Sequence, residues 1–132
     1  MKEKALLYCE GQFGESDGKT ANGLIRRSKK YHITCVIDST KTGMDAGKIL
    51  EGVENGIPIY RDLSEAMDQL NEVPKYFIYG IAPKDAILST KERRIFLKAM
   101  SLGMDIVNGL HEFISEDSEF KQQAKKYRVK LY

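Results

Sequence analysis

The stretch that decides the fold is Ala5–Thr20, ALLYCEGQFGESDGKT. It opens with a short apolar run and passes directly into glycines, the pattern of a buried strand that turns at its carboxyl end. It closes on Gly18-Lys19-Thr20, the end of a phosphate-binding P-loop. A P-loop has four residues between its two glycines, whereas three separate Gly14 from Gly18, and Phe13 stands where the first glycine belongs. The stretch therefore reads as strand, glycine turn and helix start without P-loop spacing. Lys19 to Lys30 continues as a helix with Ala21, Leu24, Ile25 and Ser28 on one face. Its cationic end suits the negative pole of the helix dipole.

Downstream, the same strand-then-helix unit recurs. Ile33–Ile37 is a second strand ending at Asp38, and Asp45–Glu51 a short helix before Gly52. Ile57–Tyr60 is a third strand, placed at an edge by Pro58. Asp62–Glu65 and Ser89–Glu92 have capping-box spacing, each opening a helix with an apolar stripe. Between them lies a fourth strand, Tyr76–Tyr79; a fifth, Met104–Val107, follows the second of these helices. Phe120, Ala124 and Tyr127 mark a last helix, and Val129–Leu131 a sixth strand. Near-continuously apolar strands separated by helices mean a parallel sheet covered on both faces. The expectation is an α/β, doubly wound, mostly parallel Rossmann-like sheet of about six strands in the order 3-2-1-4-5-6.

The chain has 132 residues, 42% of them hydrophobic and 30% charged, with a formal net charge of +2. That length suits a single Rossmann-like domain spanning residues 1–132, either complete or the N-terminal half of a longer protein. The charge is too small to argue for nucleic acid. No run is long enough for a membrane span, and the N-terminus carries no signal-peptide pattern. Cys9 and Cys35 each lie in or beside a strand, so buried reduced thiols in a cytoplasmic protein are expected. His32 precedes strand two at the opposite end of the sheet and is expected to be structural. No Cys/His cluster has metal-ligand spacing.

In such a sheet, ligands bind outside the carboxyl ends of the strands, near the switch point between strands one and four. That rule selects four loops: Glu10–Lys19, Asp38–Asp45, Gly80–Asp85 and Asn108–Glu112. Gly11, Gly14 and Gly18 either let backbone amides approach a phosphate or simply turn the chain into its helix. Lys19 and Thr20 either face that phosphate or occupy an exposed helix start. Asp38, twenty residues beyond Gly18, either accepts hydrogen bonds from a ribose or caps the turn after its strand. Ser39, Gly80, Ala82, Pro83 and Gly109 complete the expected cofactor-binding set. His111 is the one candidate acid–base group, with packing at a helix start as the alternative.

Several of these loops taken together resemble one family. GESDGKTANGLIR, VIDSTKTGMDAG, GIPIYRDLSEAM, YGIAP and GMDIVNGLHEF are similar to the N-terminal Rossmann-like domain of a bacterial and archaeal family of uncharacterised proteins. In that family a P-loop NTPase-like domain follows, and some members are described as D-glutamate or other D-amino-acid N-acetyltransferases. GIPIYRDLSEAM also resembles, more distantly, a segment of the CoA-binding domain of succinyl-CoA synthetase-type ligases. The resemblance covers only the first of those two domains, and the chain departs from it in having Lys84-Asp85-Ala86 where a glycine-rich continuation is the pattern. The resemblance implies a ligand-binding half of an acyl-transfer or nucleotide-dependent enzyme, with CoA, acetyl-CoA or an adenine nucleotide as ligand. A P-loop partner domain or a second copy would supply the other wall. Two alternatives stay open: a non-catalytic regulatory or assembly module, and a stand-alone acyltransferase or oxidoreductase using His111.

Overall fold

The computed structural model describes residues 3–14, 30–81, 89–107 and 117–132. Five parallel strands form one sheet in the order β3-β2-β1-β4-β5, from β1 (Glu3–Tyr8), β2 (Tyr31–Ile37), β3 (Ile59–Tyr60), β4 (Tyr76–Tyr79) and β5 (Asp105–Val107). The helices are α1 (Ala46–Glu51), α2 (Leu63–Gln69), α3 (Thr90–Ser101) and α4 (Ser118–Tyr127), with a 3-10 turn at Ser39–Lys41. This is the Rossmann-like arrangement expected from the sequence. The sixth strand shrinks to a single parallel bridge from Leu131 to Ile106, which extends the sheet beyond β5. The expected helix over Lys19–Lys30 lies outside the described residues, apart from Lys30 itself.

Strand alternation sends the two sides of the sheet into separate cores. Leu6, Tyr8, Phe77 and Tyr79 pack with Phe96, Ala99, Met100 and Phe120 under α2, α3 and α4. Ala5, Leu7, Cys9, Tyr76 and Ile78 pack with Phe13 and Ala46 on the other side. Ile33 and Cys35, two apart in β2, fall in opposite cores. The cause is an irregularity at Thr34, where the pairing register moves from Ala5–Ile33 to Leu6–Cys35. The Thr34 hydroxyl donates to Ala5 O at 3.2 Å, which ties the shifted residue back to β1.

Both edges of the sheet are covered by the chain itself. Along β3, Gly43 N–H donates to Ile59 O (3.0 Å) and Ile59 N–H to Met44 O (3.2 Å). Along β5, Ile106 N–H donates to Lys130 O (2.9 Å) and Tyr132 N–H to Ile106 O (2.8 Å). The Asp105 carboxylate, itself buried, accepts from Lys130 N–H at 2.9 Å and fixes the crossing. The outward backbone groups of Ile59 and Ile106 are thereby paired.

Helix α3 shows how sequence becomes packing. Ser89 Oγ accepts from Glu92 N–H and Glu92 Oε1 from Ser89 N–H, each at 3.1 Å, closing the expected capping box. The other Glu92 oxygen accepts from the Tyr79 hydroxyl, so one side chain joins the helix start to the tip of β4. Phe96, Ala99 and Met100 are then fully buried on the inward face. On the outer flank, Arg93 makes a two-bond pair with Asp117 (2.9 and 3.2 Å), reaches Glu119 (2.8 Å) and lies 4.6 Å above the Phe120 ring. That contact joins α3 to α4.

Candidate functional site

Because all five strands are parallel, their carboxyl tips share one rim. The ladder runs one residue beyond the strands: Cys9 N–H donates to Ile37 O (3.0 Å), Asp38 N–H to Tyr60 O (3.0 Å) and Gly80 N–H to Tyr8 O (2.8 Å). The tips of strands one, two and four therefore meet, as the switch-point rule requires.

At this rim Asp38 points inward. Its side chain is fully buried. Oδ1 accepts from the amides of Gly11 (3.0 Å) and Thr40 (2.9 Å) and from the Thr40 hydroxyl (2.6 Å), and Oδ2 accepts from the Phe13 amide (3.1 Å). Lys41 Nζ lies 3.9 Å from Oδ2. Backbone amides converging on one point form an anion-binding concavity; here the anion is the protein's own carboxylate. Of the two readings of Asp38, the contacts are those of a turn-bracing residue, with both oxygens directed at protein donors. Phe13, in the place of the missing P-loop glycine, is a fully buried plug in the core beneath the loop. The turn around it needs left-handed backbone, supplied by Gly11 (φ +73°) and Gly14 (φ +84°).

The other expected residues divide in the same way. Glu10 takes the amide and hydroxyl of Ser39, both at 2.5 Å, and so ties the first rim loop to the second. Gly80 spends its amide on the ladder, and its carbonyl faces the Cys9 thiol at 3.9 Å. Gly18, Lys19, Thr20, Ala82, Pro83, Gly109 and His111 lie outside the described residues. His32 is exposed on β2. Cys9 and Cys35 are buried free thiols, each pushed up to about 12 by burial first. Among the described residues no group of His, Cys, Asp and Glu is placed to hold a metal, and no helix is long and apolar enough to cross a membrane.

An open cleft of about 440 Å³ lies beside the rim, between α2 and α3. Tyr8, Ile37, Leu63 and Ile95 give it apolar walls. Arg61 before α2, and Lys91, Arg94 and Lys98 of α3, surround them. The spacing i, i+3, i+7 puts the three α3 cations on one flank of that helix. None of the three belongs to an ion pair among the described residues. The two carboxylates in the lining are already engaged. Glu10 holds Ser39; Asp62 accepts from Glu65 N–H at 2.8 Å as the α2 cap, which holds its carboxyl below the ordinary range, and lies 3.3 Å from Arg61 Nε. The Asp62–Glu65 pair forms half of the expected box, since Glu65 Oε1 accepts from Arg61 N–H (3.0 Å) instead of the cap's own amide.

Tyr8 adds a phenol to the Ser64 and Thr90 side chains that also line the cleft. The residue is 3% exposed, stacks on Phe77 and Tyr79 at 5.6 and 5.9 Å, and reaches the cleft. No group among the described residues hydrogen-bonds to its hydroxyl. Burial first, then the Glu92, Glu10 and Asp38 charges, push this phenol well above its ordinary value, so it remains a donor at neutral pH. The cleft thus offers the Tyr8 O–H donor, and cations without an ion pair among the described residues, around an apolar floor. That combination suits an anionic ligand with an apolar part. Sequence reasoning missed Tyr8, Arg61, Lys91, Arg94 and Lys98. The two capping motifs could have found the cations, since both mark helix starts on the ligand-binding rim with basic residues beside them.

Comparison with known proteins bears on the fold. No curated protein matches the chain. Among solved structures it is similar to a DUF1611 family protein from Anabaena variabilis ATCC 29413, with a TM-score of 0.83 and 23% sequence identity over 99% of this chain. The match covers 36% of that protein, so the chain spans about a third of the relative's length. The Rossmann-like domain of unknown function DUF1611_N matches residues 39–132, beginning immediately after Asp38. By that match the chain belongs to the DUF1611_N family of Rossmann-like domains.

Proposed function

We propose that this domain binds a nucleotide-containing ligand, CoA, acyl-CoA or an adenine nucleotide, by its phosphates in the cleft between α2 and α3. The observation that carries the reading is a set of cations, Lys91, Arg94 and Lys98, along one wall of an apolar cleft, none of them in an ion pair among the described residues. Cations beside low-dielectric walls attract a charged ligand strongly. Tyr8 donates to a ligand oxygen from the floor. Asp38 and Glu10 hold the two rim loops together around it. An N-acyltransferase-like reaction would draw its second substrate and remaining catalytic groups from a further domain or subunit. The sheet-edge version of an assembly module has less support, because the outward groups of Ile59 in β3 and Ile106 in β5 are already paired within the chain.

Titration calorimetry with CoA, acetyl-CoA, NAD and ATP tests the proposal. Binding of at least one is expected, weakening as salt rises and falling at least tenfold in the double variant Arg94→Glu/Lys98→Glu. Silence with all four ligands at millimolar concentration overturns it.

A further inference from the structure

The cleft does not end at its cations. A second cavity of about 210 Å³ is lined by Leu63, Ser64, Met67, Asp68, Lys98 and Leu102, and it shares Leu63, Ser64 and Lys98 with the first. The two adjoin along the α2–α3 seam, so a groove from the rim can run through both. The groove is chemically polarised. Arg61, Lys91 and Arg94 stand at the rim end, where the carboxylates Glu10 and Asp62 are already engaged, whereas the far end is walled by Met67 and Leu102 with Asp68 as its carboxylate and the shared Lys98 as its one cation among the lining residues. An anion at the far end would face Asp68; an anion at the rim faces cations and the hydroxyl of Tyr8, a residue 3% exposed whose O–H has no partner among the described residues and opens on the cleft.

From this we infer that the ligand is an elongated amphiphile, with an anionic head at the rim and a linear apolar arm lying between α2 and α3. The inference rests on the anion-binding reading above and adds the shape and direction of the bound molecule. The seven residues of α2 rise about 10 Å, which sets the length over which an arm lies against it. Ser64, in the first turn of α2 and exposed, stands at the junction of the two cavities. Lys98 lines both cavities, so its stem flanks the arm while its ammonium serves the anionic head.

Binding of methyl, butyl and hexyl phosphate, measured by ligand-observed NMR on the whole chain below their aggregation concentrations, tests the inference. A fully buried methylene gives about a fourfold gain in affinity. In an open groove about twofold is expected, or roughly 30-fold from methyl to hexyl phosphate. Met67→Lys and Leu102→Lys, which charge the far wall from α2 and from just beyond α3, should each flatten the series and leave methyl phosphate binding unchanged. Circular dichroism checks that both variants fold. Equal affinity for all three phosphates overturns the arm and leaves the anion site standing. A chain-length dependence that survives in both variants also overturns it, because the apolar contact then lies elsewhere. Failure of every phosphate to bind removes the anion site itself.

Discussion

The substitution Asp38→Asn separates a bracing carboxylate from a ligand-binding one. The carboxamide would keep one acceptor oxygen. Placed at Oδ1, that oxygen retains the Gly11 and Thr40 donors, but as neutral bonds in place of charge-assisted ones, which are about twice as strong. Its NH2 would then face the Phe13 N–H, donor against donor, in a site with no solvent access. An orphaned buried donor costs about 1–3 kcal/mol. Weakening the remaining bonds adds roughly 1–2 kcal/mol, and relief of the buried charge returns part of it. The net expected loss is about 3 kcal/mol. For a domain of this size that lowers Tm by about 10 °C. Urea unfolding followed by circular dichroism reads the free energy, and a thermal scan reads Tm. A loss below about 1 kcal/mol, accompanied by a collapse in ligand affinity, would refute the reasoning and restore Asp38 to the ligand.

Tyr8→Phe removes the unpartnered hydroxyl without altering the ring stack, so unfolding should be nearly unchanged while affinity for the phosphate ligand falls about 3- to 10-fold; an unchanged affinity in calorimetry removes Tyr8 from the site. Arg93→Ala breaks the bidentate pair, the Glu119 contact and the stacking on Phe120, and should cost about 2 kcal/mol in denaturant unfolding, less at high salt. Arg93 first among several causes holds the Asp117 carboxyl below its ordinary value of 3.8. That contribution is therefore complete above pH 3.8 and lost as pH falls through the lower folded value. An acid-unfolding profile should accordingly lose this limb in Arg93→Ala; identical acid limbs would contradict it. Because burial holds both thiols near 12, Cys9 and Cys35 should resist a thiol reagent at pH 8 in the native protein and react fully in denaturant. Rapid native labelling would show that the cores open around them.

The fold was readable because its signals are local. Apolar runs gave the five strands, the Ser89–Glu92 box gave the start of α3 with its inward Phe96, Ala99 and Met100, and Asp45 and Gly52 bracketed α1. The register shift at Thr34 was not readable, because alternation over so few residues does not reveal one added residue. The site was less legible. Its rim was placed by topology, yet glycine spacing and an acid at a strand end have the same sequence pattern whether the amides face a phosphate or Asp38. Which of the two occurs depends on side-chain direction. Phe13 held the decisive clue: a large apolar residue in the loop must go down into the core, and it takes its amide with it to Asp38. The cations of the cleft come from segments far apart in the chain, Arg61 and Lys91–Lys98, and only folding brings them to one cleft.

The most direct measurement is an amide-resolved NMR titration of the isotope-labelled chain with CoA or ATP. The expected shifts concentrate at Tyr8, Arg61–Ser64 and Lys91–Lys98, with Gly11 and Phe13 changing little because their amides already hold Asp38. Shifts centred on Gly11 to Thr20 and Asp38, with α3 silent, would contradict the account and put the ligand on the glycine loop.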